Sequence, residues 1–581
     1  MGEPGGFGWL DWAVVFALLA LTTLVGERMA GRPRSVRDFF LGGRRLPWYA
    51  VAASIVATEI SAVTFISLPA VVARPGGNLA YLQLGLIGSL LAKTIIGLVL
   101  VPAYYEREIY SPYDYMGRRL GGGARLTASA LFSIGGVLGQ AARVYLTAVV
   151  LEVILAGELA WVEAHSGLPP LVTAVCAIGV VAVAWTLIGG IATVVWTDCI
   201  LFFLFLVGIG VSLVAISGQL EAGLFGALDA GWEAGKLRLL DFDPSPVKTY
   251  TIWTAAIAST WGMVGSYGTD QLVAQRLFCC RTAREARRAV IASYAAMIVT
   301  CLVALVGVGL WAFATEHPQS AAALALASDQ PDRAFPAFIV EALPAGAKGL
   351  VLAGAFAAAI SSLDSILAAL SQTILSALVV PALRRRGREL GAAEALRVSR
   401  WLVVGCALLL CSVAVWIDRV AEDYTSILDL ALAVASYTGG ALIAGFFLAF
   451  SGRSRAGAGF VWSAPLSVLA VFAVTSHQSW AGELGIPPLL ICLGAGAALL
   501  ALFARLRALP ELRAGVGLAR VAGQCAALAL GVAGVVALSL WGSFPTATDA
   551  RAVLAWPWYL PLGSAITFFL ARALASPADP R

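Results

Sequence analysis

Ala57-Thr58-Glu59-Ile60-Ser61-Ala62-Val63-Thr64 sets a carboxylate and three hydroxyls in the middle of an apolar run from 46 to 72, and Ser361-Ser362-Leu363-Asp364-Ser365 does the same inside the run 346–383. Runs of that length can span the ~30 Å hydrocarbon core of a bilayer, which takes about 20 helical residues. An ionisable side chain near mid-membrane costs ~2.5–3.5 kcal/mol on insertion scales, so each one needs a partner, a water-filled cavity or an ion. In a helix Ser361, Asp364 and Ser365 share one face and Ser362 lies beside it, which offers several hard oxygen atoms within one turn. Such oxygens suit a small alkali cation, whereas zinc takes His and Cys, and the chain has only three histidines. The polar middle of 57–64 predicts a second helix with an interrupted hydrogen-bond ladder, whose freed carbonyls complete the shell. Its counterpart is Trp261-Gly262-Met263-Val264-Gly265-Ser266-Tyr267-Gly268, where three glycines at spacing three weaken a helix interior. Broken helices at corresponding places in two halves point to a transport site. Lys93, Arg143, Asp198 and Asp429 are further ionisable residues within apolar runs. Taken singly, each feature has a plainer reading: packing serines, a buried structural ion pair, a close-packing glycine stripe. Their coincidence in one chain favours ion-coupled transport, while pattern alone leaves a channel or a membrane enzyme open.

The rest of the chain agrees with a membrane setting. Of its 581 residues 60% are hydrophobic and 13% charged, against about half and a quarter in soluble chains, which excludes a large aqueous catalytic domain. The apolar blocks lack strict alternation, so the expected class is an all-α polytopic membrane protein and not an outer-membrane barrel. Apolar runs between Gly, Pro and charged breaks predict about fifteen transmembrane helices, near 9–30, 46–72, 80–104, 125–158, 169–188, 191–217, 249–269, 284–316, 346–383, 397–417, 424–452, 456–476, 486–506, 518–541 and 555–573. Threaded from an outside N-terminus, they put 29 of the 39 Lys and Arg on one side and eight on the other, with Lys93 and Arg143 inside helices. Basic loops mark the cytoplasmic side, so the C-terminus is expected in the cytoplasm and the chain in the cell (inner) membrane. No basic residue precedes the first apolar run and a cluster follows it, the reverse of a cleavable signal. Segments 218–248 and 317–345 are expected to cap an outer vestibule. The net charge of +5 is spread over short blocks between apolar runs, as orientation signals are, so no nucleic-acid partner is expected. Nine cysteines without CxxC spacing suggest neither a zinc site nor a disulfide framework.

Several stretches, in order along the chain, resemble the sodium/solute symporter family, which includes sodium-coupled transporters for sugars, proline, sialic acids, iodide and vitamins. They are Asp38-Phe39-Phe40-Leu41-Gly42-Gly43-Arg44-Arg45-Leu46-Pro47-Trp48, the run Ala57 to Phe65, Gly189-Gly190-Ile191-Ala192-Thr193-Val194-Val195-Trp196-Thr197-Asp198, Gly268-Thr269-Asp270-Gln271, Gln275-Arg276 and Ser361 to Ser365. The resemblance covers roughly residues 35–450 and implies a LeuT-type fold. An extra N-terminal helix would occupy 1–35, a first inverted five-helix repeat 36–220, an outer loop 221–248, a second inverted repeat 249–452, and about four peripheral C-terminal helices 453–581. It implies sodium (Na+) as the coupling ion, held by the carbonyls of Ala57, Ile60 and Ala358 and the hydroxyls of Ser361 and Ser362. Some members place a second sodium between an Asp of the fifth repeat helix and later hydroxyls of the serine motif, which here would be Asp198 with Ser361, Asp364 and Ser365. The acid at Asp364 departs from an all-hydroxyl version and leaves proton carriage open. By position in such a fold, Glu59, Ser61, Thr64, Gln83, Arg143 and Tyr267 face the solute. Arg143 is similar to an Arg that meets the substrate carboxylate in sialic-acid-type relatives, a pairing that guanidinium geometry favours. Glu59 is open to pairing with Arg143 or with Lys93, and Glu59 and Val63 depart from the polar set of sugar carriers.

The expected activity is secondary active symport: sodium moving inward, at ~2.3 kcal/mol per charge per 100 mV, drives import of a small polar organic solute by alternating access. That solute is expected to be an anion such as a sugar acid or other carboxylate, or else a sugar. The expected partners are the solute, sodium and the lipid bilayer. An enzyme is not expected, because the polar residues come without a GxSxG elbow or a P-loop. The alternatives are a proton-coupled symporter of the same fold, a cation channel, or a solute sensor, the last disfavoured because no signalling domain follows the final helix.

Overall fold

The computed structural model describes residues 7–30, 44–60, 62–107, 109, 111–188, 191–328, 330–421, 427–452, 456–475, 488–515, 517–541 and 554–575. The principal helices are α1 (Trp9–Ala30), α2 (Trp48–Glu59), α3 (Ala62–Ala73), α4 (Leu79–Glu106), α5 (Gly122–Ile154), α6 (Pro170–Ile188), α7 (Ile191–Gln219), α8 (254–269), α9 (Gln271–Phe278), α10 (Ala283–Glu316), α11 (Ala347–Ile374), α12 (Ala392–Ala421), α13 (Ile427–Phe450), α14 (Gly457–Thr475), α15 (Pro488–Phe503), α16 (Leu518–Trp541) and α17 (Tyr559–Ala573). Each run expected to be helical contains a helix. Among the described residues nine helices are long and apolar enough to cross a membrane, or eleven if each of two bent pairs is one span, as a multi-pass membrane protein requires. The count falls short of fifteen partly because Trp9–Val25, Ala347–Phe356 and Ser436–Phe450 are apolar but shorter than a full span.

The first expected interruption lies where the sequence puts it. Helix α2 stops at Glu59, Ile60 turns extended with φ −86° and ψ 97°, and its N–H makes the last bond, to the Val56 carbonyl. The two halves bend by 53°. The second interruption lies just beyond its expected place. Residues 261–268 stay helical, because π turns at Thr254–Ser259 and Gly265–Thr269 carry the helix past its glycines. The ladder ends at Asp270, extended with φ −79° and ψ 137°, whose carboxylate accepts the Leu272 N–H at 2.8 Å and so starts α9. The Gly268 carbonyl accepts the Tyr104 hydroxyl from α4. A parallel bridge between Leu46 and Cys280 ties the start of α2 to the end of α9.

Around this pair, α7 packs against both α2 and α11, and α5 lies against α12 and α13. Helix α1 docks on α11 and α7. There the buried Asp11 carboxylate accepts the Gly346 and Gly349 N–H groups at 2.7 and 2.9 Å, capping α11 from another helix. Gly349 has no room for a side chain, since a Cβ would lie 2.4 Å from the Asp11 carbonyl oxygen. At one end of the molecule Lys236 donates to the carbonyls of Val72, Ala73 and Arg74 at 3.1, 3.1 and 2.7 Å, satisfying the end of α3. Burial and the neighbouring Arg74 charge push this ammonium down to about 8. Helices α14, α15 and α16 form a separate apolar cluster. Helix α17 packs on α13 and α14 and lends Ile566 and Leu570 to that cluster, and its Ser564 joins Trp261 of α8 to the Gly440 carbonyl, at 2.8 Å each.

Candidate ion and solute site

The two interruptions bring a set of charged side chains to the middle of the membrane body. Glu59, at the end of α2, receives the Lys93 ammonium of α4 at 2.7 Å, with the two side chains 14% and 1% exposed. Lys93 also donates to the Ser293 carbonyl of α10 at 2.9 Å and stands 5.0 Å from the centre of the Tyr267 ring. This resolves the choice left open by the sequence: Glu59 is committed to Lys93. A charge pair this dry holds together only because the ammonium has a second acceptor and an aromatic face to replace lost water.

Arg143 of α5 is half-buried. Among the described residues no hydrogen bond or ion pair at contact distance reaches its guanidinium, and its electrostatic neighbours are Tyr267 and Asp270. The Tyr267 hydroxyl in turn lies at Glu59. Tyr267 thus separates a matched pair, Glu59 with Lys93, from a cation with no bonded countercharge among the described residues.

Of the other expected solute residues, Thr64 is half-buried near the start of α3, and Ser61 lies outside the described residues. Gln83 is fully engaged elsewhere. It is buried, its carbonyl oxygen accepts the Asp241 N–H at 3.1 Å, and its amide donates to the carbonyls of Ala80 and Tyr250 at 3.1 and 3.3 Å. These are the bonds of a loop anchor.

For the expected sodium residues, Ala57 and Ile60 are buried at the broken end of α2, and α11 runs helical through 358–365. The side chains of Ala358, Ser361, Ser362 and Asp364 lie outside the described residues. Asp198 and Ser365, expected at a second sodium, are described and do come together, on either side of one guanidinium. Arg276 of α9 donates through Nη2 to Asp198 Oδ2 at 3.2 Å and to Ser365 Oγ at 2.9 Å, through Nε to Ser54 Oγ at 2.8 Å, and through Nη1 to the Leu272 carbonyl at 2.7 Å. The Ser54 hydroxyl donates to the same Asp198 oxygen. By charge pattern Arg276 counted among the loop cations; in the structure it is 1% exposed, and Asp198 and Ser54 are at 0%. The signals for it were its place beside Gln275 in the family-like stretch and Ser54 one turn before Thr58.

The sequence model of the sodium:solute symporter family matches residues 39–462. Sodium-coupled monocarboxylate transporter 1 of Xenopus laevis is 28% identical over 456 residues, which is 77% of this chain and 68% of that protein. The human sodium/iodide cotransporter is 28% identical over 387 residues, 66% of this chain and 58% of that one. Sodium-coupled monocarboxylate transporter 2 of Bos taurus is 26% identical, over 77% of this chain and 69% of its own. Among solved structures, the substrate-bound outward-open state of a Na+-coupled sialic acid symporter aligns with a TM-score of 0.70 at 22% identity, covering 99% of both chains, and so shows the fold. The function expected from the residues, sodium-coupled solute symport without enzymatic chemistry, is the function of this group, and the chain belongs to the sodium:solute symporter family.

Proposed function

We propose that the chain imports a small organic monoanion together with sodium, and that Arg143 binds the solute's carboxylate. Among the described residues the Arg143 guanidinium has no bonded countercharge, and that observation carries this reading. A cation held in the membrane body without a bonded countercharge is costly, and an anionic solute supplies the missing charge. Glu59 is held by Lys93 at 2.7 Å, and Asp270, the carboxylate that acts on Arg143, is taken up by the Leu272 N–H at 2.8 Å. A monocarboxylate, iodide and sialic acid, the cargoes in the names of the relatives and the fold neighbour, are all anions at neutral pH. Ser61, Thr64 and Tyr267 complete the solute site. Sodium binds the carbonyls of Ala57, Ile60 and Ala358 and the hydroxyls of Ser361 and Ser362, joining α11 to the broken end of α2. The helices of 36–220 and 249–452 are two inverted repeats, set in the cell membrane with the N-terminus outside. Sodium favours solute uptake only to the extent that it binds one conformation more tightly than the other.

The test is uptake into proteoliposomes under an inward sodium gradient, with lactate, pyruvate, N-acetylneuraminate, iodide and glucose as probes. Uptake of one of the three carboxylates is expected, lost in Arg143→Ala and partly kept in Arg143→Lys, which preserves charge but not the planar fork; uptake of iodide alone counts against the carboxylate reading. Sodium-driven uptake of glucose alone, unchanged in Arg143→Ala, overturns the reading.

A further inference from the structure

One end of the C-terminal helices holds a buried cation that neither the solute site nor the sodium site uses. The span Leu489–Arg513, made of α15 and its extension, is 17% buried against at least 28% in the other eight, so it borders lipid. Its last turns carry Arg505, Arg507 and Arg513, α16 opens with Arg520, and α17 ends with Arg572. Ala508, Val521 and Leu574 share one apolar cluster, so these three helix ends lie together. Against the five arginines, Glu511 is the one acid among the described residues of these helices. Leu502, Leu506, Leu509 and Leu518 stand exposed between them. Apolar and basic side chains interleaved in this way mark the border between acyl chains and headgroups.

We propose that this end binds the phosphate group of an anionic phospholipid, with Arg507 as its bidentate partner. Arg507 is 8% exposed and donates through Nε to Glu511 Oε1 at 3.1 Å, while its Nη1 and Nη2 are buried without a hydrogen-bond partner. Glu511 Oε2 is also without a partner, so the fork of the guanidinium is turned away from the carboxylate. Arg507 Cζ lies 5.9 Å over the Phe503 ring, a contact that leaves the Nη donors unmade. Arg276, buried as deeply, makes four hydrogen bonds. Unmade donors on a buried charge are destabilising, and a phosphate offers two oxygens at the spacing of the fork. Release of the one bond to Glu511 lets the long side chain carry its fork out to the headgroup level beside Arg505. The exposed leucines of the same turns receive the acyl chains, which a free phosphate lacks. In the orientation proposed above this end meets the cytoplasmic leaflet, where anionic lipids face polybasic segments.

The inference is independent of the solute and of the coupling ion. Native mass spectrometry of the purified full-length protein in detergent, titrated with dioleoylphosphatidylglycerol, dioleoylphosphatidylcholine or glycerol 1-phosphate, counts what binds. One phosphatidylglycerol per chain is expected, held about tenfold more tightly than phosphatidylcholine, which is the worth of one charge-assisted hydrogen bond. Arg507→Gln should lose that preference and Arg507→Lys keep part of it, while Arg505→Gln/Arg513→Gln/Arg520→Gln should still hold the single lipid. Equal binding of the two lipids, or a preference unchanged in Arg507→Gln, overturns the proposal. Glycerol 1-phosphate bound as tightly as phosphatidylglycerol would make this a site for a soluble phosphate and refute the lipid. Should Arg507→Gln not fold, the triple variant decides: a lipid retained supports Arg507, and a lipid lost assigns the binding to surface charge and refutes it.

Discussion

Lys93→Met should weaken transport by turning Glu59 against Arg143. In the wild type the Glu59 carboxylate lies 2.7 Å from the Lys93 ammonium, and the two side chains are 14% and 1% exposed. Removing one partner of such a pair costs ~3–5 kcal/mol, mostly from the charge left behind. The lower end is expected, since Glu59 keeps some solvent and has a cation in reach: Glu59 and Arg143 both act on the Tyr267 hydroxyl. With the Tyr267 hydroxyl between them, opposite charges ~10 Å apart at an effective dielectric of 20 attract by about 1.7 kcal/mol, which an anionic solute would have to overcome. That corresponds to ~10-fold weaker solute binding. Lys93→Met/Glu59→Gln removes both charges, frees Arg143 again, and should recover most of the uptake and of the thermal stability. Uptake of the transported anion in proteoliposomes, beside thermal unfolding of the same samples, reads both effects. A double variant as inactive as Lys93→Met would refute the reasoning and place Lys93 in solute binding itself.

Sodium, titrated against choline at constant ionic strength, should raise the unfolding temperature saturably, by ~1.4 kcal/mol of stability at tenfold over its dissociation constant. Ser361→Ala/Ser362→Ala should abolish the rise, and a rise that survives would remove these hydroxyls from the site. Asp11→Ala deletes the cap on α11 and should lower stability by ~0.5–2 kcal/mol, measured by thermal unfolding, with Asp11→Asn nearer the wild type. Lys236 titrates at about 8 in the fold against 10.5 ordinarily. The folded chain therefore binds fewer protons than the unfolded one between these values, and its stability should climb with pH across that window and fall as pH drops through 8. Lys236→Met should flatten that part of the unfolding profile, and an unchanged profile would assign it to other groups.

Much of the fold was legible because membrane helices announce themselves by length and apolarity, and the first interruption because Glu59 and Ser61 have no business in an unbroken span. The second was misplaced by a few residues for a local reason. Glycines 262, 265 and 268 weaken an α-helix, yet π turns and the Tyr104 hydroxyl keep the chain helical until Asp270 can cap a new start. The charged centre was legible only as a set of candidates. Glu59 had two possible cations, and the choice depends on Ser293 and Tyr267, some 200 residues away in sequence, giving Lys93 its other contacts. Gln83 was assigned to the solute because helix position cannot show that a loop 158 residues later turns its backbone toward the amide. Arg276 was hidden by composition, since a cation next to a basic loop counts as an orientation signal until its neighbours are known.

The segment that begins at Lys236 is a clasp between helices. Lys236 grips the end of α3, its carbonyl accepts the Leu79 N–H at the head of α4, Asp241 bonds Gln83 of α4, and the Asp241 carbonyl takes the Ile252 N–H just ahead of α8 at 2.8 Å. Within a few residues of chain it clips together one end of each of three helices, two from the first half of the sequence and one from the second. These ends are a single rim, and any tilt of one drags the others. A spin-label pair between this segment and α4 would keep its distance through the transport cycle, while a pair from the same segment to α11 would record the stroke.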